Sequence, residues 1–244
     1  QTSTETSNVV VDANGTEFTI PDSVERIVIT CQGGTTHEVA IFGGADMIKA
    51  QPSMAKFPQL LKMYPQFNDV VNGGSFDDVN IETLAAQEPD VALVDISSEK
   101  GTAQIAGIGI PTYVMLIGWA AIDTLKQEFL NVGKIVGGED KAQQLFDHWT
   151  TTLDALQAKL ASIPEAEKKS IYYISSADIT KANKGDWGRT WIAGVNADFA
   201  IPDSDSTGDV TVEKAIAWDP DIIIVQGGND INQLLDNEQL QDMQ

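Results

Sequence analysis

The chain of 244 residues is long enough for one large α/β domain or for two small lobes. Its 36 Asp and Glu residues against 15 Lys and Arg residues give a formal net charge of −21, which argues against a nucleic-acid partner. No apolar run approaches the length that spans a bilayer, and the single cysteine, Cys31, excludes an internal disulfide bond.

The first half of the chain alternates predicted strands with predicted helices. Residues 1–8 are polar and rich in Ser and Thr, a composition typical of a flexible tether. The elements that follow are, in chain order, strands at 9–12 and 17–20 around the Asn14-Gly15 turn, a strand at 26–30, a helix from Thr35 or Thr36 to Phe42, strands at 47–50 and 70–72, a helix at 80–87, a strand at 91–95, a helix at 102–107 and a strand at 112–116. This alternation predicts parallel βαβ units.

The second half begins with the longest helical pattern. Apolar residues recur at helical spacing over 121–136, Gly137-Gly138 interrupts the pattern, and it resumes over 139–160. A strand at 171–174 opens a second α/β set, which continues with a helix at 212–217 and a strand at 222–225. Residues 231–244 are polar and helix-prone.

Two segments on either side of the long helical pattern match each other. Residues 80–95 read NIETLAAQEPDVALVD, and residues 211–225 read TVEKAIAWDPDIIIV. Each places a glutamate near a helix start, then Pro-Asp, then an apolar strand. The match favours two similar lobes, but two βα units within one α/β domain would also give it.

These phrases resemble the siderophore-, haem- and cobalamin-binding proteins of ABC importers, a helix-linked, two-lobe family of solute-binding proteins. VVVDANGTEFTIPDSVERIVI is similar to the start of their mature chains, LKQEFLNVGKIVGGEDKAQQL to their interlobe helix, and WIAGVNADFA to their Gly-Gly-x-Asn-like element. The two matching segments and GIPTYVM extend the resemblance over almost the whole chain. It departs from the family where Ala193-Gly194-Val195-Asn196 replaces Gly-Gly before Asn, and where the chain stops at Gln244 instead of continuing the second lobe.

The resemblance implies an α/β fold of two Rossmann-like lobes joined by a long interlobe helix. The expected boundaries are a tether at 1–8, an N-terminal lobe at 9–117, the interlobe helix at 118–138 and a C-terminal, truncated lobe at 139–244. The implied protein is extracytoplasmic and monomeric, periplasmic or tethered to the cell surface as a lipoprotein. It would capture a metal chelate, a ferric siderophore first and a corrinoid or haem next, and deliver it to an ABC permease.

Candidate ligand contacts lie after the predicted strands, because ligands of open α/β sheets bind beyond the carboxyl ends of the strands. The segment 178–191, DITKANKGDWGRTW, is predicted to be a loop with a basic and aromatic cluster suited to negative oxygens and broad apolar surface. Alternatively, its second Trp packs in the core and its lysines are solvated. The predicted ligand contacts are Gln32, Met54, Lys56, Phe57, Trp119, Trp187, Arg189 and Trp191.

Glu82 and Glu213 occupy equivalent positions in the two matching segments. In the resembled family a glutamate of each lobe docks against arginines of the permease, so these two are the implied docking residues. The alternative is that each is a favourable acid in the first turn of a helix.

The sequence contains no recognisable metal-ligand set or catalytic motif. His37 and His148 lie far apart and Cys31 has no CxxC partner, so we expect no cofactor and a metal that arrives already chelated. GxSxG, GxGxxG after a strand and GxxxxGK[ST] are absent, and nothing supplies an orienting group for Cys31 with His37. Two alternatives stay open: a two-lobed α/β enzyme acting on a nucleotide-sugar or sugar, and a surface sensor module that transports nothing.

Overall fold

The chain folds into two compact units. The computed structural model describes residues 8–31, 34–52, 54, 57–116, 122–184, 186–205, 209–226 and 231–236. The first unit comprises Gln1–His148 and the second Trp149–Gln244, so the division falls inside one long helix, Glu139–Leu160.

Short strands and helices alternate through both units. The strands are β1 (Val9–Val11), β2 (Glu17–Thr19), β3 (Ile27–Ile29), β4 (Ile48–Ala50), β5 (Gly74–Ser75), β6 (Asp78–Val79), β7 (Val91–Asp95), β8 (Thr112–Met115), β9 (Ser170–Ile174), β10 (Asp198–Phe199) and β11 (Ile222–Val225). The helices are α1 (Gly34–Val39), α2 (Pro58–Met63), α3 (Ile81–Ala85), α4 (Glu99–Gly107), α5 (Ile122–Ile135), α6 (Glu139–Leu160), α7 (Asp186–Gly194), α8 (Val212–Ala217) and α9 (Asn232–Leu235).

The first unit is built on a parallel sheet with the strand order β4-β3-β7-β8. Every residue of β7 is buried, which explains why its sequence, VALVD, does not alternate between apolar and polar residues. Successive residues of β3 enter different cores, Ile27 and Ile29 one core and Val28 the other. Burial of each such side chain contributes about 1.5–3 kcal/mol, so the central strands stabilise this unit strongly.

Helix α5 belongs to the first unit. Its Val132 and Ile135 pack in the same core as β3, and Gly133 lies so close to Ala142 of α6 that a side chain on the glycine would collide. Over its described part, the segment 118–138 that was expected to join the lobes therefore packs within the first unit. The chain passes into the second unit through α6.

The predicted N-terminal hairpin is confirmed. The Oδ1 atom of Asp12 accepts the backbone N–H groups of Asn14 and Thr16, each at 2.9 Å, which fixes the turn. The N–H of Ala13 donates to the carbonyl of Val114 at 3.0 Å, so the hairpin is attached to the edge strand β8.

The second unit is built on a three-stranded parallel sheet with the order β10-β9-β11. The residues of β9 alternate between two small cores, Tyr172 and Ile174 in one and Ile171 and Tyr173 in the other. Among the described residues, β11 lies at the edge of this sheet, and Ile222 at its start is 43% exposed.

The beginning of α1 differs from the prediction. The helix includes Gly34, so Thr35 and Thr36 lie inside it, buried, and neither caps it. The helix passes into a π-helical turn at Ala40–Gly44, where Gly43 has a φ of 106°.

The strand predicted at 70–72 is wrong. Only Val71 forms a bridge, to Ala50, because a 3₁₀ turn at Pro65–Asp69 precedes it and the β5–β6 hairpin follows almost at once.

Candidate functional site

The carboxyl ends of the first unit's strands lie at one edge of its sheet, because the four strands are parallel. The chain leaves the strands at Thr30, Gln51, Ile96 and Leu116. Ligands of open α/β sheets bind at this edge. We therefore build the candidate site from these segments.

The hairpin of β5 and β6 packs on the same edge. Phe76 in its turn donates its N–H to the carbonyl of Thr30 at 2.8 Å, and Asp77 Oδ1 accepts the N–H of Gly101 in α4 at 2.8 Å. Gly101 has no room for a side chain, because the carbonyl oxygen of Phe76 lies against it. These contacts hold Phe76 at a φ of 52°, a left-handed conformation that is costly for a bulky residue. This strained, partly exposed aromatic residue is a candidate solute contact.

Buried hydroxyl and thiol groups lie beneath this edge. Cys31 is fully buried, with its Sγ 3.2 Å from Thr35 Oγ1, and burial raises the pKa of the thiol. A protonated, inaccessible thiol is a poor nucleophile. The hydroxyl oxygens of Thr30, Thr36 and Ser98 are buried without a hydrogen bond to any described residue.

Three buried acids stand near these groups. Burial, with a smaller contribution from the neighbouring Glu128, raises the pKa of Glu38 to about 8. Burial also raises the pKa of Glu128 to about 7, although the N–H of Leu116, 2.6 Å from its Oε2, opposes the shift. Because its pKa lies at about 8, Glu38 is largely protonated at neutral pH. The third acid, Asp95, accepts hydrogen bonds from the N–H and hydroxyl of Ser97 at 2.8 and 2.5 Å.

Two of the predicted first-unit contacts pack against the core. Met54 and Phe57 are half-buried, and the ring of Phe57 meets that of His37 edge-to-face with centroids 5.3 Å apart. Their contact with a solute stays a prediction. The other three predicted contacts of this unit lie outside the described residues: Gln32, Lys56 and Trp119.

The segment 178–191 is not a loop throughout. Helix α7 begins at residue 186, because Ile192 is fully buried in the core and Gly188 lets the helix approach Tyr173, whose ring is 3.0 Å from the position of an added Cβ. The prediction of a loop is therefore wrong from residue 186 onward. Trp187 lies in this helix, and its side chain is outside the described part of the structure.

Arg189 is held by contacts within the protein. Its guanidinium lies 4.5 Å from the centroid of Phe199, and its Nη1 lies 3.3 Å from Asp203 Oδ1. The side chain is 25% exposed, and its buried Nη2 makes no hydrogen bond with a described residue. Because one arm of the guanidinium is unused, Arg189 stays a candidate ligand contact.

The remaining members of the cluster are mostly engaged elsewhere. Trp191 packs against the core, with its ring edge-to-face on Tyr173 at 5.9 Å. Lys184 donates to the carbonyl of Asp205 at 2.9 Å, whereas Lys181 is exposed. The structure thus gives Trp191 the packing role that was the alternative to ligand contact.

Glu82 and Glu213 occupy the same position in two equivalent helices. Asn80 caps α3, because its Oδ1 accepts the backbone N–H of Thr83 at 2.9 Å. Thr211 caps α8 in the same way, because its Oγ1 accepts the backbone N–H of Lys214 at 3.3 Å. Both glutamates are exposed in the first turn. They are accessible to a partner, and their docking role stays a prediction.

The helices of the two helix–Pro-Asp–strand units also end in the same way. Glu88 and Asp219, each directly before the proline, have left-handed φ angles of 47° and 46°. Asp90 Oδ2 accepts the N–H of the residue before β3 at 2.9 Å, and Asp221 Oδ2 accepts the N–H of the first residue of β9 at 2.8 Å. The sequence match therefore reflects one structural unit that occurs in both halves.

Sequence interpretation placed the segment 72–77 at the strand ends but did not single out Phe76, and it missed Glu38 and Glu128. The Gly-Gly and Asp-Asp pairs that flank Phe76 are turn signals that could have located its hairpin. The two glutamates lie in helical sequence, where such residues are ordinarily exposed, so no local signal marks them.

Neither a membrane span nor a metal-ligand group is found in the described residues. None of their helices is both long and apolar enough to cross a bilayer. Their His, Cys, Asp and Glu side chains do not come together in threes that could hold a metal ion.

The sequence and the fold are similar to those of known binding proteins. The family described as periplasmic binding protein matches residues 28–244. The chain is 24% identical over 223 residues to YvrC of Bacillus subtilis, an uncharacterized ABC transporter substrate-binding lipoprotein, with 89% of this chain and 68% of YvrC covered. It is 21% identical over 242 residues to the molybdate-binding protein MolA of Haemophilus influenzae, with the same coverage.

Solved structures share the fold at low sequence identity. MolA bound to molybdate superposes with a TM-score of 0.82 at 19% identity, covering 97% of this chain and 79% of MolA. A periplasmic haem-binding protein of Pseudomonas aeruginosa gives 0.71 at 17% identity, covering 91% and 80%. Together with the parallel sheets of both units, this similarity confirms the predicted α/β fold of two Rossmann-like lobes.

Proposed function

Because the chain belongs to the periplasmic binding protein family, we propose that its solute is a metal chelate, a ferric siderophore first and a corrinoid or haem next. The chain is the substrate-binding protein of an ABC transporter, which binds a small molecule and delivers it to a permease. It is not an enzyme. The chelate is cargo, and no resident cofactor is part of the proposal.

The family and the lipoprotein relative support an extracytoplasmic location. We add to the proposal that the chain acts as a monomer, either free in the periplasm or tethered to the cell surface as a lipoprotein.

The chemistry of the first unit's strand ends carries the proposal of a chelate. Of the polar and aromatic residues described there, Ser75, Phe76 and Ser97 reach the surface and Thr30, Gln51, Asp95 and Ser98 are buried beneath it. None of these seven is Lys or Arg. A bare oxyanion needs concentrated cationic or N–H donors, whereas a chelate presents oxygen edges and broad apolar surface. Haem-binding neighbours support the same size class of ligand.

A bare metal oxyanion is the second candidate. It is favoured by the similarity to MolA, which is described as bound to molybdate.

Native mass spectrometry of the chain with a mixed panel separates these candidates. The panel contains ferric siderophores and their iron-free forms, cobalamin, haem, molybdate and sulfate. We expect a retained ferric chelate and no retention of its iron-free form. Retention of molybdate with no chelate would overturn the proposal in favour of the second candidate.

A variant at Phe76 tests whether the strand-end aromatic contacts the chelate. Phe76→Ala keeps a Cβ at the left-handed position and removes the ring, so we expect the retained chelate to bind about tenfold more weakly. Ile108→Ala, which trims an exposed apolar side chain at the end of α4, is the matched control. Unchanged affinity in Phe76→Ala would remove this residue from the site.

A further inference from the structure

A cavity of about 300 Å³ lies in the first unit between the N-terminal hairpin and α5. Its apolar wall comes from Val11 and Ala13 of the hairpin, from Tyr113 in β8 and from Leu116 directly after that strand. The volume is at the lower end of the range for small-molecule pockets. All described lining residues belong to the first unit.

Glu128 supplies an unsatisfied buried oxygen to this cavity. Its side chain is among the lining residues and is only 3% exposed. The Oε2 atom accepts the N–H of Leu116 at 2.6 Å, whereas Oε1 makes no hydrogen bond with a described residue. A buried carboxyl oxygen without a donor is costly, so the site is incomplete as it stands.

The neighbouring amides are committed to other partners. Asn131 Nδ2 donates to the carbonyl of Val11 at 2.9 Å and to the hydroxyl of Tyr113 at 3.0 Å. Gln127 Nε2 donates to Asn131 Oδ1 at 3.1 Å. This network fixes the wall and leaves the free oxygen of the carboxyl without a donor.

The charges around the cavity favour a cationic occupant. Asp12 lines the opposite, hairpin side, and no Lys, Arg or His is found among the described lining residues. Burial raises the pKa of the Tyr113 hydroxyl, and both Glu128 and Asp12 raise it further, which places both carboxyls near that hydroxyl. A net charge of −21 adds a long-range attraction for cations.

We propose that this cavity binds a small organic ammonium ion. An N–H of the ion donates to Glu128 Oε1, and its short apolar body packs against Val11, Ala13 and Leu116. The cavity shares Leu116 with the strand-end edge, and the inference does not rest on the identity of the transported solute.

Three probes of one size test the proposal: n-butylammonium, butan-1-ol and butyrate, followed by ligand-detected NMR and calorimetry on the full chain. At about pH 8.5, where the Glu128 carboxyl with its pKa of about 7 is ionised, we expect n-butylammonium to bind, butan-1-ol to bind about tenfold more weakly and butyrate not to bind, because only the first carries a charge opposite to that of the carboxyl. Glu128→Gln should weaken n-butylammonium binding about tenfold or more. Glu139→Gln removes the same charge from the exposed start of α6 and should leave the binding unchanged.

A second variant keeps the test valid if Glu128→Gln does not fold. Ala13→Leu fills the cavity from the opposite wall, leaves the carboxyl in place and should also abolish binding. The proposal is overturned if wild type does not bind n-butylammonium, if the folded variants bind it as wild type does, or if butan-1-ol binds equally well. Failure of every chelate in the mass-spectrometry panel would leave this result untouched.

Discussion

Glu38 and Glu128 hold their protons at pH values where an exposed glutamate is ionised. Burial is the main cause for both, and a neighbouring acid adds to it, Glu128 for Glu38 and Asp95 for Glu128. In the unfolded chain the pKa of a glutamate is about 4.3. Each raised pKa therefore contributes stability that is complete below that pH. The contribution is lost as the pH rises through about 7 for Glu128 and about 8 for Glu38.

Removal of the ionisable group at Glu38 should flatten this pH dependence. We expect Glu38→Gln to lose less free energy of unfolding than wild type between about pH 5 and about pH 8.5, and to be the more stable protein at the upper end by on the order of a few kcal/mol. Urea unfolding followed by circular dichroism measures both. Glu99→Gln at the exposed start of α4 is the control, and equal pH slopes for wild type and Glu38→Gln would contradict the assignment.

At the scale of elements, the Pro-Asp pair of each repeated unit ties a helix end to the start of a neighbouring strand. Asp90 Oδ2 accepts the N–H groups of Glu25 and Arg26 before β3 at 2.8 and 2.9 Å. Asp221 makes the equivalent bond to Ser170 in β9, where Lys169 and this N–H lower its pKa to about 2. Strand ends carry backbone N–H groups that the sheet does not pair, and these carboxylates satisfy them.

Loss of the carboxylate should destabilise the first unit. We expect Asp90→Ala to lower the free energy of unfolding by about 1–3 kcal/mol, because two backbone N–H groups lose their acceptor. Chemical denaturation at neutral pH measures the change. Asp22→Ala, an exposed aspartate before the same strand, should stay close to wild type, and similar losses in both variants would refute the role given to Asp90.

The sequence predicts well those helices and strands whose ends are marked by residues close to them in the chain. The match between residues 80–95 and 211–225 depends on a cap, a proline and an apolar strand, all of which act within a few residues, and the structure confirms both copies. Helix α7 was missed because its two glycines favour a loop, and only the packing of Ile192 beneath the sheet decides otherwise.

The candidate site was predicted less fully than the fold. Phe76 reaches the strand ends because its hairpin bonds to Thr30 and Gly101, which lie far from it in the sequence. The burial of Glu38 and Glu128 likewise depends on which helix face meets the sheet. Such contacts are tertiary, so residue type and spacing do not reveal them.

At the scale of the whole molecule, each unit has a helix, capped by a side chain, that carries an exposed glutamate in its first turn, Glu82 in the first unit and Glu213 in the second. The surface is acidic overall, with 36 Asp and Glu residues in the chain, so charge alone does not distinguish these two. Their equivalent positions in the repeated unit distinguish these two glutamates from the other acids. Charged pairs at the rim of an interface mainly set registration and the rate of association.

Charge reversal at these positions should uncouple capture from delivery. We expect Glu82→Lys and Glu213→Lys to leave solute affinity unchanged and to lower permease-dependent uptake about tenfold or more when combined. Uptake by cells or stimulation of the transporter's ATPase measures delivery, and mass spectrometry measures capture. Glu139→Lys is the matched control, and normal uptake by the double variant would exclude docking through these residues.

The fully buried thiol of Cys31 makes the native chain suitable for fluorescent labelling. Maleimide dyes react with accessible thiolates, and burial keeps this sulfur both protonated and out of reach. Because the sequence holds no other cysteine, one cysteine introduced on the surface of each unit would take up donor and acceptor dyes without removal of the natural residue. Single-molecule energy transfer between the two dyes could then follow how the spacing of the units responds to cargo.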